Sequence, residues 1–112
     1  MAAGNYDIVI DQGSDFSIEL VVAQNGDPVN LGSHSASAQL RPTPTSTTLS
    51  ATFTCQVTNA SQGKLTMSLG YATTRNIASG KYYYDLELFN TSANSITRLI
   101  QGVARVTAEV TR

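Results

Sequence analysis

"SGKYYYDLELF", residues 79–89, sets three consecutive tyrosines ahead of Asp85, Leu86, Glu87 and Leu88, in a chain with only five tyrosines and no tryptophan. Successive residues of a strand point to opposite faces. Read that way, Tyr82, Tyr84, Leu86 and Leu88 share an apolar, inward face, while Tyr83, Asp85, Glu87 and Phe89 share the outer one. Tyr83 is then the residue that needs a reason. Three compete: a ligand-stacking platform, a strand that carries aromatics on both faces, or an inter-subunit anchor.

The same period of two runs through the chain. Tyr6, Ile8 and Ile10 alternate in "YDIVI", and Phe16, Ile18, Leu20 and Val22 in "DFSIELVVA". Asn25 and Gly26 supply a tight turn with positive φ, and Pro28 is expected to prevent immediate re-pairing. Ala36, Ala38 and Leu40 form the next inward row. "RPTPTSTT" is a loop, since Pro42 and Pro44 lack amide donors. Leu49, Ala51, Phe53, Cys55 and Val57 line one face of "LSATFTCQV", and Leu65, Met67 and Leu69 one face of "KLTMSL". Only "GYATTRNIASG" lacks alternation, and it predicts one short helical turn over residues 71–78, closed by Gly80. In the final stretch, "SITRLIQGVARVTAEV", Gly102 is the expected bulge. Seven or eight short strands with one helical turn predict a single all-β domain over 1–112, an antiparallel Ig-like β-sandwich. Its predicted core is Phe16, Ile18, Leu20, Leu40, Phe53, Leu65, Tyr82, Leu86 and Val106.

Gly80, one residue, then Tyr82 and Tyr84 is similar to the tyrosine corner of immunoglobulin-like domains, where a phenol bonds back to the preceding loop. On that mapping Tyr82 is the structural corner and Tyr84 stands in the place of a cysteine. The cysteine pair and the tryptophan of true immunoglobulin domains are missing.

Composition excludes several functions. Charged residues make up 13% of the chain, about half the usual share, and Ser and Thr fill the gap. Such a surface suits protein contacts, because few charges need desolvating. The formal net charge is −1 with no basic stripe, so phosphate-driven nucleic-acid binding has no footing. Residues 1–10 show no basic-then-apolar leader, and no apolar run is long enough to span a bilayer. A lone Cys55 excludes an intrachain disulfide and fits synthesis in a reducing cytoplasm.

Catalytic chemistry finds no support. His34, the only histidine, has Ser33 and Ser35 beside it, but adjacent side chains in an extended segment point apart and form no nucleophile–base pair. Cys55, mid-strand, reads as an inert thiol. Asp11 and Asp15 in "DQGSD" lack the further carboxylates of a calcium loop and read as a turn. Asn59 and Asn90 lie in N-x-S/T sequons, which matter only in a secreted eukaryotic setting. The expectation is no enzyme, with no catalytic, cofactor-binding or metal-binding residue.

Four stretches taken in order, "YDIVIDQGSDFSIEL", "GDPVNLGSHSASAQLRPTP", "SGKYYYDLEL" and "TRLIQGVARVTAEVTR", resemble a group of small tailed-bacteriophage structural proteins. More distantly, they are similar to the N-terminal domain of phage upper baseplate proteins. The resemblance covers nearly the whole chain and is weakest over residues 43–79. It implies an Ig-like building block of a virion, assembled in the bacterial cytoplasm, in the tail, baseplate or fibre-attachment region. It would occur in several copies and dock copies of itself and other virion proteins, without nucleic acid, membrane, cofactor or small-molecule substrate. Tyr83 and Phe89 are the candidate interface residues. The alternatives are a carbohydrate- or receptor-binding module at a tail tip, with Tyr83 and Tyr71 stacking on the ligand, and a capsid decoration protein.

Overall fold

The structure, a computed structural model, describes residues 4–111. The alternating stretches become ten strands: β1 Gly4–Asn5, β2 Ile8–Asp11, β3 Phe16–Val21, β4 Ala23–Gln24, β5 Asp27–Pro28, β6 His34–Arg41, β7 Ala51–Asn59, β8 Lys64–Leu69, β9 Gly80–Asn90 and β10 Ser95–Thr107. The helix α1 spans Tyr71–Arg75. Eight strands form one sheet in the order β1-β10-β9-β6-β7-β8-β3, with β2 also on β10, and β4 and β5 form a separate hairpin.

The all-β class is the one expected. Its layout departs from the expected antiparallel sandwich in two ways. First, β7 belongs to both halves: Phe53 and its N-terminal neighbours pair with β6, and Thr54 onward pairs with β8. A nine-residue strand is long enough to serve both, so the sheet curls over on itself instead of dividing into the two sheets of an immunoglobulin domain. Second, β1 and β2 run parallel to β10. β10 has 13 residues and only β9 on one side; its other edge is an open row of donors and acceptors that the N-terminal segment covers.

Inside the curl, Phe16, Phe53 and Tyr84 form a chain of aromatic contacts, with ring centroids 6.1 and 6.2 Å apart. They join β3, the shared strand β7, and β9. Ile10, Leu31, Leu40, Leu65, Met67 and Leu86 are fully buried around them. All nine predicted core residues lie in this cluster, with Phe16, Ile18, Leu20 and Tyr82 on its partly buried margin. Tyr6 and Leu49 do not: they are 52% and 46% exposed. Tyr6 falls in the break between β1 and β2, where its N–H donates to the Gln101 carbonyl at 2.9 Å, and Leu49 precedes β7, so both lie outside the strands.

Three local readings are corrected. The helix stops at Arg75 and is capped by Asn76, not closed by Gly80, which instead opens β9. Pro28 does re-pair, opposite Ala23, as the outer residue of a two-residue ladder where proline is tolerated. The bulge in β10 falls at Leu99, between Arg98 and Ile100, while Gly102 stays in register opposite Tyr84. Gly102 is small for another reason. A Cβ there would lie 2.3 Å from the Tyr6 carbonyl oxygen, a contact the chain can make only with glycine.

Candidate functional site

Strand β9 is flanked by β6 and β10, and the three antiparallel registers bring the outward residues into rows. Phe89 lies between Ser35 and Ile96, Glu87 between Ser37 and Arg98, Asp85 between Gln39 and Gln101, and Tyr83 between Arg41 and Val103. The burial of Tyr84, Leu86 and Leu88 fixes this parity, so Tyr83 and Phe89 share the outer face. They are not neighbours on it. Six residues of strand, roughly 20 Å, and two charged rows separate them.

The inward tyrosines are tied at their tips. The Tyr82 hydroxyl donates to the carbonyl oxygen of Ala78 at 2.6 Å, which places the bond in the loop before β9. The Tyr84 hydroxyl donates to the Tyr6 carbonyl oxygen, the group that Gly102 makes room for. Burial, with Tyr6 and Asp7 nearby, pushes the Tyr84 phenol up to about 12. Between the β1 and β2 pairings, the Val103 N–H of β10 donates to the Asp7 carboxylate at 3.0 Å.

The middle of the outer face is a concavity of about 810 Å³. Arg41, Tyr83, Asp85, Glu87, Arg98 and Gln101 line it, with Pro44 of the 42–50 loop and Asn5 and Asp7 of the N-terminal segment also contributing. Its polar groups hold one another. Arg41 donates to the Gln39 side-chain oxygen at 2.8 Å and to the Ser46 carbonyl at 3.3 Å. The Arg98 guanidinium is 3.3 Å from the Asp85 carboxylate and donates to Gln101 Oε1 at 3.2 Å. The Lys81 ammonium lies 5.4 Å from the Tyr83 ring centroid, in cation–π range. Phe89 stands outside the concavity, paired with Ile96, which is 64% exposed.

Sequence reading named Tyr83 and Phe89 as candidates; of the two, Tyr83 lines the concavity, together with Arg41, Arg98, Gln39, Gln101 and Asp7, which it did not name. The alternation of β6 does turn Gln39 and Arg41 away from Leu40, yet only the strand register sets them beside Asp85 and Tyr83. Tyr71, grouped with Tyr83 as a stacking candidate, sits instead at the start of α1, where the Arg75 guanidinium lies 5.5 Å from its ring centroid.

The other residues weighed for chemistry have structural surroundings. His34 is the first residue of β6, opposite Asn90, with its Nδ1 buried and without a hydrogen-bond partner among the described residues. Cys55 is half-buried opposite Met67, and burial pushes its thiol up, away from nucleophile chemistry. The acidic turn at 11–15 is consumed by hydrogen bonds. Asp11 accepts from Thr107, Gln12 bridges the Ile77 carbonyl and the Glu109 N–H, and Asp15 caps α1 at the Tyr71 N–H. The fully buried Thr74 closes this knot, accepting from Gly13 N–H and donating to the Ser14 carbonyl. No group of three or more His, Cys, Asp or Glu placed to hold a metal ion occurs among the described residues.

No family model and no curated protein matches the chain. Among solved structures it is similar to a family 123 glycoside hydrolase from Clostridium perfringens, at 14% identity and a TM-score of 0.48, over 97% of this chain. The chain spans 24% of that enzyme's length, and at this similarity the likeness carries no functional argument.

Proposed function

We propose that the chain is a non-enzymatic structural protein of a tailed-bacteriophage virion, present in several copies and docking other virion proteins through the outer face of β9 and β10. The observation that carries this reading is the apolar pair Phe89–Ile96 near the end of the β9–β10 hairpin, with Phe89 half-buried and Ile96 64% exposed. A large aromatic beside an exposed aliphatic is the kind of anchor that partners bury. The low charge of the chain supports the same role, since an interface there strands few ions. Tyr83 belongs to the neighbouring concavity, so the docking anchor narrows to Phe89 with Ile96.

The test is incorporation into particles. Mass spectrometry of purified virions should find the chain in multiple copies. The double substitution Phe89→Ser, Ile96→Ser should leave the isolated chain folded, because both side chains are outside the core, yet reduce its copy number in particles. Wild-type incorporation of the double variant would remove this surface from the interface. A chain absent from particles altogether would sink the virion reading.

A further inference from the structure

We propose that the concavity on the outer sheet face binds a neutral oligosaccharide, with Tyr83 as the stacking ring and Glu87, Asp85, Arg98, Arg41 and Gln101 as its hydrogen-bonding groups. This goes beyond the docking role and uses a different part of the face, since Phe89 does not line the concavity.

The volume of about 810 Å³ lies within the range of small-ligand sites, roughly 300–1,000 Å³. Two guanidinium groups (Arg41, Arg98) and three carboxylates (Asp7, Asp85, Glu87) line it, so 2 − 3 leaves a formal charge of −1. Arg98 is already paired with Asp85. The lining itself carries no excess of positive charge to select a phosphate or a sulfated ligand, and the nearby cations Lys81, over the Tyr83 ring, and Arg105, opposite Lys81 in the register, lie at its edge. It offers instead a dense set of planar donors and acceptors around an aromatic ring, which matches a ligand made of hydroxyls and C–H faces.

Two further features favour a sugar. The guanidinium groups are held in place by Gln39, Ser46, Asp85 and Gln101 at 2.8 to 3.3 Å, so little ordering remains to be done on binding. Glu87 is the exception. Half-buried and opposite Arg98 in the register, it has no hydrogen-bond or ion-pair partner among the described residues, and Arg98 turns to Asp85. Its two oxygens are left to accept from neighbouring hydroxyls. An extended peptide fits less well, because β9 is paired on both sides and has no free edge to lengthen the sheet.

The experiment is a glycan array probed with the full chain, followed by NMR titration with the neutral sugars that bind. Binding should move the amide signals of Tyr83, Asp85, Glu87 and Gln101. Glu87→Gln and Tyr83→Ala should each weaken it about tenfold or more, the effect of losing one charged hydrogen bond or the stacking ring. Tyr83→Phe, which keeps the ring, should still bind and serves if the alanine variant is unstable. Phe89→Ser should bind like the wild type. The proposal is overturned by an array and titration with no response, by binding indifferent to Glu87→Gln, by selectivity for sulfated or phosphorylated sugars, or by capture of library peptides with the same variant sensitivity. Any of these would leave the docking reading standing, because that rests on incorporation of the Phe89 and Ile96 variants.

Discussion

The two inward tyrosines of β9 end on backbone carbonyls, Tyr82 on Ala78 and Tyr84 on Tyr6. Each bond joins β9 to a segment outside it. Tyr82→Phe should cost about 1 kcal/mol, the net value of one such bond, measured by urea denaturation. Tyr84 adds a pH signature. Its folded phenol is raised to about 12 by burial, against an ordinary value of about 10. Native protein therefore keeps a proton that the unfolded chain gives up, so this contribution is complete below pH 10 and is lost as pH rises from 10 toward 12. Tyr84→Phe should flatten that part of the alkaline stability curve. A curve unchanged by Tyr84→Phe would show that this phenol titrates normally.

At the scale of elements, β7 carries more than its own hydrogen bonds. Phe53 sits at the point where the strand passes from β6 to β8, and it touches both Phe16 and Tyr84. Phe53→Ala should destabilise the protein by about 3–5 kcal/mol, because a cavity at the bend cannot collapse without separating the two halves. A loss near zero would mean that the bend is held by its backbone alone. The helix α1 is a different kind of element. Five residues are too few to be helical alone, and it is held by Asp15 at its start and Thr74 beneath it.

Over the whole molecule, one sheet encloses one core, and the chain's first strands lie against its last. No half of the curl can bury its apolar face without the other. Thermal and urea unfolding should therefore each show a single transition, with far-ultraviolet circular dichroism and tyrosine fluorescence coincident. Separate transitions for the two probes would show that the β3–β8 half melts independently. Pairings such as Ile8 with Ala104 close loops of most of the chain, so folding should be slow for a domain this size, on the order of milliseconds to seconds.

Sequence alone determined which side chains turn inward in β2, β3, β6, β7, β8 and β9, because alternation is a local property of the extended backbone. Leu40, Phe53, Leu65, Leu86 and Val106 were legible in that way, as were the Asn25–Gly26 turn and the proline loop. Pairing was not legible, because it depends on which edges remain open once the chain has curled. Hence the parallel N-terminal strands, the strand shared at β7 and the bulge at Leu99 belong to the tertiary structure. Gly102 shows why most clearly. Nothing near it in the chain distinguishes a bulge from a close approach, and its reason is the carbonyl of Tyr6. The candidate site has the same origin. Its residues come from the N-terminal segment, β6, the following loop, β9 and β10, and only the register of three strands sets Arg41, Tyr83, Asp85, Glu87 and Arg98 around one concavity.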